Sequence, residues 1–119
     1  SLRNYNFKYY LIDNEKQDTL LSFAQINKNI DFDYSVDNRY LFVNQHNNNL
    51  SIYSVSSAKT VFTIERKGIH YGIGENYFAV SYGNIVEIYS LKTFKRLLKI
   101  KEISEKINEL QFYKNNLFI

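Results

Sequence analysis

The residues able to do chemistry in this 119-residue chain are few and scattered. Asp31, Asp33 and Asp37 lie close together, and paired carboxylates can divide acid and base work when their surroundings separate their pKa values. Asp31 and Asp33 fall on one face of an extended run, whereas Asp37 falls in the turn after it, so the expected role is structural, bonding turn backbone groups. Asp13, Glu15 and Asp18 have roughly the spacing of a calcium loop. Such a loop wants a glycine at its sharp bend, and here there is none and Lys16 intervenes. His46 sits in an Asn-rich turn and reads as exposed. His70 opens a strand and reads as a half-buried structural histidine, with no Ser, Cys or carboxylate set around it in nucleophilic order. Gly72-Ile73-Gly74 begins a GxGxxG pattern, but Tyr77 stands at its sixth position and the context is strand–turn–strand, not strand–turn–helix. No cysteine is present, so there is no thiolate nucleophile, thiolate metal site or disulfide. No catalytic, cofactor-binding or metal-ligating residue is expected.

What the chain does specify is architecture. In Tyr34 to Ile64, Tyr40-Leu41-Phe42-Val43 is an apolar run of strand-favouring residues. Leu50 to Val55 alternates, with Leu50, Ile52 and Ser54 on one face and Ser51, Tyr53 and Val55 on the other. Thr60 to Ile64 is a further strand. Ser35 to Arg39, Asn44 to Asn49 and Ser56 to Lys59 are the polar turns between and around them. Each run is too short for a stable helix, and the spacing fits an antiparallel meander.

The meander repeats. A shift of 36 residues lays Ile52-Tyr53-Ser54 on Ile88-Tyr89-Ser90, Val61-Phe62 on Leu97-Leu98 and Ile64 on Ile100. Upstream, a shift of 37 lays Tyr40-Leu41-Phe42-Val43 on Tyr77-Phe78-Ala79-Val80, Tyr34 on Tyr71 and Asp37 on Gly74. The change of one residue falls in the turn where Tyr82-Gly83-Asn84 replaces the longer Asn-rich loop, and turns are where length changes belong. Phe7 to Asp13 and Leu20 to Phe23 read as the last two strands of an earlier unit, while Ser1 to Asn6 carries no strong pattern. Ile107 to Tyr113 and Leu117 to Ile119 read as the first strands of a later unit. Lys101 to Asn108 has helical leanings, enough for one turn between units.

Tyr34 to Leu41 is similar to the "FSPDGxxL" segment of WD-repeat β-propellers. Tyr53 to Lys59 and Tyr89 to Lys95 stand where that family has "WDLxTGK". The chain has no Trp and no Gly-His dipeptide, so the family's Asp-His-Ser-Trp hydrogen-bond network is not assembled in its usual form. The resemblance implies an all-β fold made of propeller blades, each a four-stranded antiparallel meander. It divides the chain into a half blade (1–26), two blades (27–65 and 66–103) and a half blade (104–119). Tyr53 and Tyr89 are then rings of the blade core. Closed propellers typically have ~4–8 blades, so the expectation is an excerpt of a longer propeller, with further copies or a partner as the other ways to complete the ring.

Composition sets the remaining bounds. Hydrophobic residues make up 45% and aromatics 17%, enough for a core. The absence of an 18-residue apolar run predicts no membrane span, and the lack of cysteine suits an intracellular setting. The net charge is +3. In a propeller, the connectors between units share one face with the turns between second and third strands. Lys28, Arg66, Lys67, Lys101 and Lys106 would lie on that connector face, as candidate contacts for a partner or an anion. Arg39, Lys59, Lys92, Lys95, Arg96 and Lys114 would lie on the opposite, turn face. The resemblance implies a non-enzymatic protein–protein interaction scaffold, its partners other proteins or the remaining blades of the same propeller. RNA or an anionic ligand held by a basic face is the alternative.

Overall fold

The computed structural model describes residues 2–5, 8–12, 19–24, 30–45, 49–101, 111–113 and 116–118. Among these residues every regular element is a strand, and no helix is long and apolar enough to cross a membrane. The N-terminal sheet holds β1 (Leu2–Tyr5), β2 (Lys8–Ile12) and β3 (Thr19–Ala24) in that order. The first complete unit follows: β4 (Ile30–Tyr34), β5 (Tyr40–Gln45), β6 (Asn49–Ser54) and β7 (Thr60–Ile64). The second is β8 (His70–Ile73), β9 (Tyr77–Tyr82), β10 (Ile85–Ser90) and β11 (Arg96–Ile100). A hairpin of β12 (Gln111–Tyr113) and β13 (Asn116–Phe118) ends the described chain. Both complete units are antiparallel meanders with strands in chain order.

The two units match in register as well as in order. Ile52 lies between Phe42 and Phe62, and Ile88 between Ala79 and Leu98. The pairing of third with fourth strand slips by one residue between Ile52 and Tyr53 and again between Ile88 and Tyr89, leaving Val61 and Leu97 as the extra residues of two bulges. The same slip occurs between Leu11 and Ile12, so β2 and β3 are the third and fourth strands of their unit. β1, paired on the other edge of β2, is therefore a second strand. The N-terminal sheet thus has three strands where the sequence pattern predicts two, because the four-residue run Leu2–Tyr5 is too short to show alternation. The stretches predicted as a helical turn and as an acidic loop, 101–108 and 13–18, lie outside the described residues apart from Lys101.

Two predicted alignments need correcting. Ser35 N–H donates to the Tyr40 carbonyl, and Gly74 N–H donates to the Tyr77 carbonyl. Gly74 therefore stands in the place of Ser35, not Asp37, and Tyr34 corresponds to Ile73, not Tyr71. The second unit makes its first turn with two fewer residues, so the shift across the first strands is 39. The predicted turn Asn44 to Asn49 is also shorter, since β5 continues through buried Asn44 and Gln45 and β6 begins at Asn49. The one-residue difference at the next hairpin holds: Gln45 pairs with Asn49, and Tyr82 with Ile85 across Gly83-Asn84. Gly83 adopts φ +58, a conformation glycine takes without steric cost.

Alternating side chains place apolar residues on both faces of each sheet, so successive sheets stack through shared cores. Between the two complete units, Phe42, Leu50 and Ile52 meet Ile69, Phe78 and Val80, with Phe62, Tyr71, Tyr89 and Phe94 packed around them. Phe78 stacks on Tyr89 at 5.1 Å and meets Phe42 and Phe62 edge-on at 5.4 and 5.3 Å. On the upstream face, Leu41 and Val43 gather Ile30, Phe32, Tyr34 and Tyr53. On the downstream face, Ala79 and Val86 gather Ile88, Ile100, Phe112 and Leu117. Tyr53 and Tyr89 pack against the core as expected, but each is only half-buried.

Candidate interaction surfaces

The polar turns that carry the exposed residues are locked by their own side chains. In the turn Ser35–Tyr40, the Ser35 hydroxyl donates to Asp37 Oδ1 at 2.8 Å and accepts from Tyr40 N–H at 3.0 Å. Asp37 also accepts from Arg39 N–H at 3.1 Å and from Arg39 Nε at 2.9 Å. These bonds, led by the Ser35 hydroxyl and the Arg39 backbone N–H, hold the Asp37 carboxyl below its ordinary pKa. Asp37 is thus a turn-builder. Asp31 and Asp33 lie apart from it on β4, beside Tyr71 of the next unit. Burial, and then the charges of Asp33 and Asp31, push the Tyr71 phenol well above its usual value.

At the other turn of each unit, Ser54 N–H donates to the Lys59 carbonyl and Ser90 N–H to the Lys95 carbonyl. Val55 N–H donates to the Arg39 carbonyl and Leu91 N–H to the Asn76 carbonyl, tying this turn to the first one. The turns between first and second strands and between third and fourth strands therefore share one face in each unit. The opposite face is identified by Arg66: its guanidinium, in the connector after β7, lies 4.2 Å over the ring of Tyr82, at the β9–β10 hairpin.

Three of the candidate contacts, Arg66, Lys67 and Lys101, fall on described connector residues. Arg66 and Lys67 are exposed and adjacent, and Lys101 is exposed at the start of the equivalent connector one unit on. Lys28 and Lys106 lie outside the described residues. The connector is pinned by Gly68, at φ +68, and by fully buried Ile69, whose carbonyl accepts from Asn44 Nδ2 at 2.8 Å. Beneath Tyr82 lies Glu87, only 5% exposed. It accepts from Arg96 Nη1 at 2.8 Å and from the Tyr82 hydroxyl. Burial alone would raise its pKa, but these bonds and the charges of Arg96 and Lys99 outweigh it and hold the carboxyl below the usual glutamate value.

Two clefts open elsewhere. On the turn face, one of about 570 Å³ lies at the seam between units, walled by Arg39 and Tyr40 on one side and Glu75, Tyr77, Leu91 and Lys92 on the other. On the inner edge, one of about 380 Å³ is formed by Asp33, by Tyr71 to Ile73 and by Gln111 and Phe112, so β4, β8 and β12 are neighbours there. These are the first strands of three successive units. His70 is half-buried at the start of β8, opposite Ser81, as its position predicts. Among the described residues no three His, Cys, Asp or Glu side chains form a group able to hold a metal ion.

The sequence pattern alone did not single out Asn44, Glu87 or Tyr82. Their signal is positional: Asn44 and Ser81 are equivalent buried polar residues at the same point of the second strand.

No protein-family model matches the sequence, and no curated protein matches it. Solved structures do. The structure of U3-55K aligns with 89% of this chain at TM-score 0.62 and 10% identity, with 36% of that chain covered. The crystal structure of RRP9 WD40 repeats aligns with 89% at 0.61 and 10% identity, again with 36% covered. The crystal structure of the Mitotic Checkpoint Complex aligns with 92% at 0.61 and 12% identity, with 36% of that chain covered. The chain therefore spans little more than a third of each of these chains, and at such identities the likeness establishes the fold, that of a WD-repeat-like β-propeller segment.

Proposed function

We propose, from the WD-repeat-like propeller fold, that this chain is a non-enzymatic scaffold that presents rigid turn surfaces to other proteins. The observation that carries this reading is the turn-face seam. There, a cleft of about 570 Å³ lies between turns fixed by side-chain and inter-turn backbone bonds. Tyr77 and Val36 stand exposed on the same face, Val36 at 66%. Rigid loops lose little conformational freedom on association, so contact energy is not spent on ordering them. Named protein assemblies among the structural neighbours, such as the Mitotic Checkpoint Complex, are in keeping with this role. The test is affinity capture followed by cross-linking mass spectrometry. A stoichiometric protein whose cross-links fall on Lys59, Lys92 and Lys95, and which is lost in Val36→Asp with Tyr77→Ser, supports the reading. Recovery of sub-stoichiometric species only would sink it.

A second reading assigns RNA or another polyanion to the connector face, through Arg66, Lys67 and Lys101 with Lys28 and Lys106. Arg66 and Lys67 stand side by side and exposed there, with Arg66 over the ring of Tyr82. Such binding weakens steeply as salt rises, because phosphate contacts release counterions. An oligonucleotide titration that is flat between 50 and 200 mM salt, about the range over which such contacts lose most affinity, removes this reading.

A further inference from the structure

The two complete units differ in charge at one set of equivalent places on their third and fourth strands. In the first unit, Ser51 pairs with Thr63 and Tyr53 with Thr60. In the second, Glu87 pairs with Lys99 and Tyr89 with Arg96. Neutral Ser51, Thr60 and Thr63 thus give way to Glu87, Arg96 and Lys99. The neutral set satisfies the fold: Ser51 is buried, and its hydroxyl meets that of Thr63 at 3.3 Å. The charged set adds a desolvation cost, because Glu87 is buried to the same degree. The blade architecture by itself therefore gives no reason for these charges.

What they build is a basic cluster at the seam between the units. Glu87 accepts from Arg96 Nη1 at 2.8 Å and from the Tyr82 hydroxyl, and Lys99 stands opposite it. Arg66 reaches across from the first unit's connector, its guanidinium 4.2 Å from the centre of the Tyr82 ring, where the ring face favours a cation. The charges of Arg66 and Arg96 both act on the Tyr82 phenol, opposing the upward push of burial. Arg66 has no ion-pair partner among the described residues, and its neighbours Glu65 and Lys67 offset each other. Arg66 and Arg96 are exposed and Lys99 is half-buried, while the carboxylate among them is closed off from solvent. Three cations against one carboxylate leave two positive charges unmatched. From this excess we propose that the cluster binds the phosphate of a phosphorylated serine or threonine on a partner protein. Such a phosphate carries about −1.5 to −2 charge at pH 7 and three acceptor oxygens, and guanidinium forks meet it with paired N–H donors. Nucleic acid fits less well, because each backbone phosphate carries a single charge and the strand tracks a basic groove. This cluster is confined to one seam. An anionic membrane wants several basic residues massed at its surface, and exposed Glu65 stands beside Arg66. The inference is separate from both readings above, neither of which uses Arg96 or Lys99.

The experiment is an NMR titration of the isotope-labelled 119-residue chain with N-acetyl-O-phosphoserine amide, a probe that carries the proposed group and little else. The expected result is a saturable shift of the Arg66 and Arg96 Nε–H signals and of the Tyr82 and Lys99 amides. N-acetylserine amide should produce no comparable shift. Arg66→Gln and Lys99→Gln should each weaken the probe about tenfold, the worth of one charge-assisted hydrogen bond. Lys92→Gln, on the turn face, should leave binding unchanged. None of the three positions is fully buried, and the spectrum of each variant reports its folding directly. Probe binding without any protein captured on the turn face leaves this proposal standing and removes only the scaffold reading. Absence of a saturable shift overturns the proposal, as does an equal response to the unphosphorylated probe. So does a Lys92→Gln loss as large as that of Arg66→Gln. Binding of an oligoribonucleotide or of phosphatidylserine vesicles that depends on Arg66, with no response to the phosphoserine probe, assigns the cluster to another class of ligand and overturns it too.

Discussion

Ala58 and Phe94 share one backbone conformation, φ 57 and 58, at the same point of the same turn in successive units. Each N–H donates back to the carbonyl of the serine that opens the turn, Ser54 or Ser90. The WD-repeat pattern has glycine at this place, and a left-handed residue with a side chain costs roughly 1–2 kcal/mol. Ala58→Gly should therefore stabilise the chain by about 0.5–1 kcal/mol after allowing for the greater freedom of glycine in the unfolded state. Phe94→Gly should do the opposite, because it also removes a ring packed against Tyr40, Phe62 and Phe78. A net loss of about 2 kcal/mol is expected for this half-buried phenylalanine. Urea unfolding of the two variants checks both signs.

Asn44 and Ser81 are equivalent in place but not in bonding. Asn44 Nδ2 supports the Ile69 carbonyl at 2.8 Å, although its Oδ1, like the buried Ser81 hydroxyl, has no hydrogen-bond partner, so only Asn44 makes a bond through its side chain. Asn44→Ala should cost about 2 kcal/mol, since it strands a buried carbonyl. Ser81→Ala should be neutral or stabilising by up to about 1 kcal/mol, since it removes a polar atom with nothing to bond. Thermal melts of the two side by side separate these outcomes.

Glu87 makes stability depend on acidity. Its folded-state pKa is depressed, so its contribution is fully present above the unfolded value, near 4.5, and is lost as pH falls through the lower folded value. The Asp37 carboxyl acts in the same direction below its ordinary 3.8. Glu87→Gln should lower the melting temperature at neutral pH and flatten its decline between pH 5 and pH 3, a window set by the ordinary carboxylate range of about 4. An unchanged slope in that window would refute the assignment.

Tyr89→Ala should cost about 2–3 kcal/mol, below the full value for a wholly buried ring, because Tyr89 is stacked on Phe78 yet only half-buried. Val36→Ala, at the tip of an exposed turn, should change stability by less than about 0.5 kcal/mol. Equal losses at the two positions would contradict the packing described for the seam.

The fold was largely legible in the sequence, because strand alternation and a repeated turn are local signals. Ile52 and Ile88 fell into equivalent places on that basis alone. The first-strand alignment misled for a physical reason. Matching Tyr34 to Tyr71 satisfied residue identity, but the first turn of the second unit is two residues shorter, as the strand register and the bond from Gly74 N–H to the Tyr77 carbonyl reveal. Charged residues were visible as charges and not as partners. That Arg66 would lie on Tyr82, and Arg96 against a buried Glu87, depends on contacts between strands that no sequence spacing encodes. The candidate surfaces were accordingly readable as faces and unreadable as geometry.

The slipped pairing at Leu11/Ile12, Ile52/Tyr53 and Ile88/Tyr89 interrupts the same pair of strands in every unit where both are described. A bulge sharpens local twist and breaks the regular row of hydrogen-bonding groups that a foreign strand would need in order to zip alongside. Each sheet is thereby discouraged from widening at its outer margin. The molecule can still grow by stacking another sheet against its flank, so crowding or partial unfolding should favour orderly side-by-side assembly over fibrous edge-to-edge polymerisation.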